Sequence, residues 1–114
     1  MSQVKKGQRW VFDADVSGTN PSEGIERRVL AYCDEAMCVV NHFKKGAAGA
    51  IHSHPHTQIT YVASGVFEFE IEGEKNIVKK GDAMLKQDNA KHGVVCLEDG
   101  TLVDFFTPMR EDFV

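Results

Sequence analysis

Apolar residues along this chain alternate with polar ones far more often than they recur at three- or four-residue spacing. That is the period of strands, not of helices. Segment 66–71 shows it best: Phe67, Phe69 and Ile71 fall on one face, Glu68 and Glu70 on the other. Glu72-Gly73 then turns the chain into an antiparallel partner over 75–78. The same reading predicts strands over 26–32, 37–43, 58–64, 83–86, 92–97 and 102–107. Glycines at 46, 49, 65, 73, 81, 93 and 100 punctuate them, and 17–24 (SGTNPSEG) reads as a loop. Many short strands with frequent turn signals predict an all-β sandwich or barrel.

Composition narrows the picture. The chain has 114 residues, enough for one domain with one core. With 42% hydrophobic and 26% charged residues it has an ordinary globular composition. The formal net charge is −4, and the lysines come as scattered pairs, not as a stripe that could follow a phosphate backbone. Nucleic acid is therefore not expected as a partner. No apolar run is long enough to span a bilayer and the first ten residues contain no signal-type apolar core, so no membrane partner is expected either. The three cysteines, Cys33, Cys38 and Cys96, form an odd set. They predict reduced, buried thiols and a cytoplasmic protein.

The chemistry concentrates in HSHPHTQ, residues 52–58. On an extended strand alternate side chains share a face, so His52, His54, His56 and Gln58 are expected roughly in line, with Pro55 able to bend them. Imidazoles two residues apart can bind one metal from the same side. Gln58 would supply a third ligand, and His92, from another strand, the fourth. Such a site accepts several divalent ions (nickel, zinc, manganese, iron or cobalt), and the ligands alone do not choose among them. Gln58 is neutral, so three histidines and an amide would leave the ion its full charge and a stronger Lewis acid. His56 could face the site or sit at the barrel mouth; His42 reads as a strand residue without chemistry.

The C-terminal stretch LVDFFTPMREDF puts Asp104 and Phe106 on one face, Val103 and Phe105 on the other. An inward Asp104 would suit general acid–base work, and Arg110 would suit a two-point grip on a carboxylate. A surface Asp and Arg near a chain end would look the same at this level.

Two spacings carry a resemblance. Gly46, His52-Ser53-His54, Gln58 and Gly65 are similar to the first cupin motif, with Gln58 where many cupins have Glu. Gly81 and His92 reproduce the spacing of the second, with Gln87, Asn89 and Cys96 in place of its usual proline, glycine and asparagine. The resemblance implies a single cupin domain over 1–114: a double-stranded β-helix, or jelly-roll, barrel at about 26–108. It also implies a homodimer, with the N-terminal segment as a possible contact. HSHPHTQ and the DFFTPMREDF ending resemble the KdgF-type cupins of pectin and alginate degradation. That resemblance implies an enzyme that opens 4,5-unsaturated uronate monosaccharides to the linear 5-keto-4-deoxyuronate. Carried over, Asp104 is the acid/base, Arg110 holds the sugar carboxylate and Phe106 lines the pocket. A cupin dioxygenase using the same ligands, and a non-turnover sugar-binding cupin, are the alternative readings.

Overall fold

The computed structural model describes residues 3–114. Eight strands follow in order: β1 (Thr19–Ser22), β2 (Ile25–Tyr32), β3 (Met37–Phe43), β4 (Ala48–His52), β5 (Thr57–Ile71), β6 (Glu74–Lys79), β7 (Ala83–Lys86) and β8 (His92–Thr107). The only helical segments among the described residues are single 3-10 turns at Asp13–Asp15 and Glu111–Phe113. None is long and apolar enough to cross a membrane.

β5 and β8 form the spine. They pair antiparallel from Thr57 opposite Thr107 to Ile71 opposite His92. Sequence patterning divides each of them in two, at Gly65 and at 98–101. Both breaks are bends inside continuous strands. Gly65 has φ +84°, and a side chain there would strike the backbone of Gly100. A side chain at Gly100 would in turn strike the Ser64 carbonyl. Only glycine permits two backbones to cross this closely.

Partners change at that crossing. Before it, β5 pairs with β7, and the C-terminal half of β8 pairs with β3, which continues through β2 to β1. Beyond it, β5 pairs with β6, and the N-terminal half of β8 pairs with β4. Two sheets thus share two bent strands and close face to face as a jelly-roll barrel. The β5–β6 hairpin turns on Glu72 (φ 49°) and Gly73 (φ 83°), the primed geometry of a two-residue turn.

Two short strands escaped the pattern. Part of the expected loop at 17–24 is β1, an edge strand exposed along its whole length and containing Pro21. β4 is likewise mostly exposed. Neither buries one face, so neither shows alternation. The cysteines also differ from expectation: all three are free, but only Cys96 is buried, while Cys33 and Cys38 are half-buried.

The core fills the space between the sheets. Phe43, Val62, Phe67, Phe69, Cys96 and Leu102 form its main body, with Phe43 and Phe67 edge to face at 5.4 Å. A smaller cluster of Met37, Val39, Phe106 and Met109 closes the other end. Between them the inward positions turn polar, and this is where the candidate site lies.

Candidate metal centre and substrate cavity

His52, His54 and Gln58 do not share one extended strand. β4 ends at His52, the chain bends over 53–56 around Pro55, and Gln58 begins afresh on β5. The convergence comes from tertiary pairing: His52, at the end of β4, lies opposite His92, at the start of β8. The His92 ring is 4.5 Å from that of His52 and 5.0 Å from that of His54. One ligand-type nitrogen from each of the three falls within 4.8 Å of the others.

The hydrogen bonds of these rings fix which nitrogen is free. Nδ1 of His52 meets the Ala50 carbonyl at 2.9 Å, Nδ1 of His54 the His56 carbonyl at 3.1 Å, and Nδ1 of His92 the Ala90 carbonyl at 2.9 Å. A carbonyl only accepts, so each Nδ1 carries the proton and each neutral ring keeps a lone pair on Nε2. Burial lowers the pKa of His54 and pushes that of His92 down to about 4, which holds both rings neutral. Nε2 of His92 is buried without a hydrogen-bond partner. Nε2 of His54 faces Oε1 of Gln58 at 2.9 Å, one acceptor against another. Lone pairs brought together in this way fit a cation. His52, His54, His92 and Gln58 are thus the residues that could hold a divalent ion, and backbone carbonyls behind the rings are the usual means of orienting such ligands.

A second polar cluster adjoins the first. Gln58 Nε2 donates to Thr60 Oγ1 at 3.3 Å, which turns its oxygen toward His54. Thr60 lies directly across from Asp104 on β8 and donates to Oδ1 at 2.5 Å. Asn41 on β3 donates to Oδ2 at 2.8 Å. Lys86 on β7, 1% exposed, donates its ammonium to the same Thr60 hydroxyl. That hydroxyl has its one proton and both lone pairs engaged. Burial pushes Lys86 down to about 8, opposed by the attraction of Asp104.

Asp104 is thus an inward residue, 8% exposed, and so is Phe106, at 2%. Phe106 packs edge-on against His54 at 5.8 Å. Arg110 follows the strand and stacks over Phe106 and Phe113, at 5.2 and 4.4 Å from the ring centres. Its guanidinium is already forked to Asp112, Nε to Oδ1 at 3.0 Å and Nη2 to Oδ2 at 2.8 Å. His56 is half-buried beside His54 and Phe106, 5.6 and 6.5 Å away ring to ring. His42 lies outside the cluster, tied to Thr101 on the barrel surface.

These groups line one cavity of about 170 Å³, which His52, Gln58, His92, Asp104, Phe106 and Arg110 share with Arg27 and Asn41. A larger open groove of about 1030 Å³ lies beside the β1–β2 turn, but its His42 and Glu26 are already engaged by Thr101 and Arg28. Sequence reasoning overlooked Arg27, Asn41, Thr60 and Lys86. For Asn41 and Thr60 the signal was present: each occupies an inward step of an alternating strand, as Asn41 does between Val39 and Phe43.

A barrel of this topology with a histidine cluster inside one end defines a class. Residues 39–106 match the model of the Cupin domain family, and the chain belongs to the cupins, with the KdgF proteins among its near relatives. It is 46% identical to the Pectin degradation protein KdgF of Dickeya dadantii (strain 3937), over 94% of this chain and 99% of that protein. The structure of KdgF from a Halomonas species superposes with a TM-score of 0.90 at 36% identity, covering 94% of this chain and 99% of that one. An RmlC-like cupin from Shewanella frigidimarina NCIMB 400 superposes with a TM-score of 0.93 at 33% identity, covering 97% and 100%.

Proposed function

We propose that this chain is a metal-dependent cupin enzyme that opens the ring of 4,5-unsaturated uronate monosaccharides, giving the linear 5-keto-4-deoxyuronate. The observation that carries the reading is Asp104: a buried carboxylate held by Asn41 and Thr60, lining the same cavity as the histidine cluster. The identity with a pectin degradation protein over nearly the whole chain supports the substrate class.

The substrate is a cyclic enol ether that is also a hemiacetal. Asp104 takes the proton of the anomeric hydroxyl, the anomeric carbon becomes a carbonyl, and its bond to the ring oxygen breaks. The released electron pair stays on that oxygen as an enolate. Asp104 then returns a proton to C4, and the enolate carbon becomes the ketone. One proton leaves and one arrives, so a single carboxylate can serve both steps. A divalent ion held by His52, His54, Gln58 and His92 would supply Lewis-acid polarisation of a substrate oxygen. Phe106 lines the cavity beside the reacting ring, and Arg110 contributes positive charge for the sugar carboxylate.

The enzyme acts in the cytosol as a homodimer. Three free thiols support the compartment. An apolar row on the outside of the barrel supports the pairing: Ile59 lies in register with both Leu85 and Phe105, and the three are 45%, 54% and 45% exposed. This face is on β5, β7 and β8.

The test is a time course of absorbance in the band of the conjugated enol carboxylate, with freshly made unsaturated uronate and with metal-loaded and metal-stripped enzyme side by side. Accelerated, metal-dependent loss is expected. No acceleration with any unsaturated uronate would refute the reading.

A further inference from the structure

We propose that Arg27 anchors the substrate carboxylate from the β2 side of the cavity, so that the anion is received between two guanidinium groups flanking Phe113. The proposal rests on the ring-opening reading for the identity of the sugar, but not for the presence of an anion site.

Arg27 occupies an inward step of β2 between Ile25, which is buried in the core, and Val29, which packs on the smaller cluster. Its side chain lines the cavity, and its guanidinium carbon lies 3.7 Å from the centre of the Phe113 ring. That ring also carries Arg110. Arg28 is bonded to Glu26 and Asp13, and Arg110 is forked to Asp112. Arg27 has no ion pair among the described residues, and its Nε is buried with no hydrogen-bond partner. A half-buried guanidinium beside a second one is costly to hold without a counter-charge. Burial first, and the neighbouring Arg110 second, act against its charged form and outweigh the attraction of the Asp112 and Asp104 carboxylates, neither of them bonded to it.

The charges in the cavity show what is missing. Of the charged side chains that line the cavity, Asp104 is hydrogen-bonded by Asn41 and Thr60 and Arg110 is forked to Asp112, whereas Arg27 has no bonded counter-charge, in a chain of net charge −4. Its free donors form a planar fork that matches a carboxylate. Arg27 also pairs across the sheet with Asn41, the residue that grips Asp104. A carboxylate on Arg27 therefore lies across β3 from the acid/base. In the unsaturated uronate the carboxylate is attached next to the carbon that receives the proton, so holding it positions that carbon.

The experiment compares wild type with Arg27→Met and Arg27→Gln. Calorimetric titration uses D-galacturonate, which lacks the double bond, and D-galactose as its neutral match; turnover uses unsaturated uronate. Wild type should bind galacturonate in preference to galactose. Both variants should lose that preference and raise KM by roughly 10- to 100-fold, with kcat changed far less. Their melting temperatures should stay level or rise, because an unpaired half-buried charge has been removed; a structural arginine would lower them. Galacturonate binding and KM within twofold of wild type would overturn the role of Arg27 and leave the ring-opening reading standing. Arg27-dependent binding without turnover of any unsaturated uronate would do the reverse. No preference for galacturonate in wild type would overturn the anion site itself.

Discussion

Thr60 and Asp104 face each other across β5 and β8, and the threonine hydroxyl donates to the carboxylate at 2.5 Å. The same hydroxyl accepts from Lys86 and from Gln58, so one oxygen joins the buried ammonium, the Asp104 carboxylate and the Gln58 amide. Thr60→Val keeps the shape but leaves Lys86 without its acceptor. We expect a loss of about 2–4 kcal/mol of stability, measured by urea unfolding. Asp104→Ala should reduce turnover by about 10²–10⁴-fold with metal content unchanged by elemental analysis. Unchanged turnover would remove Asp104 from the mechanism.

His92→Ala removes the ring whose Nε2 has no partner inside the protein. Metal affinity should fall by at least ~100-fold, since a ligand itself contributes more than the groups that orient it. Elemental analysis after dialysis reads this directly, and full occupancy in the variant would refute the ligand assignment.

Lys86 sets a pH dependence. Its ordinary pKa is 10.5 and the fold lowers it to about 8. Between those values the unfolded chain binds the additional proton, so this group makes stability rise with pH across that window. The unfolding free energy of metal-free wild type minus that of Lys86→Met should grow by about 2 kcal/mol from pH 8 to pH 10. A difference that stays flat would mean that Lys86 is solvated in the folded protein.

The outer row of Ile59, Leu85 and Phe105 predicts where subunits meet. Ile59→Lys with Phe105→Lys should convert a dimer to a monomer in light scattering while the far-ultraviolet circular dichroism is kept. A wild-type monomer, or a double variant that remains dimeric, would exclude this face.

Much of this protein was legible before folding was considered. Alternation marked most strands, because each buries one face and the side-chain period is two. His52, His54, Gln58, His92 and Asp104 stood out by residue type and spacing. β1 and β4 stayed hidden, since an exposed edge strand buries no face and leaves no pattern.

The sequence by itself determined the inventory: alternating strands, a histidine cluster, an Asp104 sharing a strand face with Phe106, and the glycines that let β5 and β8 cross. Tertiary structure decided the connections. His52 meets His92 only because β4 pairs with β8, and Thr60 holds Asp104 only because the first part of β5 pairs with β8 in the register that sets them opposite. Lys86 and Arg27 read as ordinary surface charges in the one-dimensional pattern. The sheets turn both inward, and pairing across strands gives Lys86 its partner while leaving Arg27 without one.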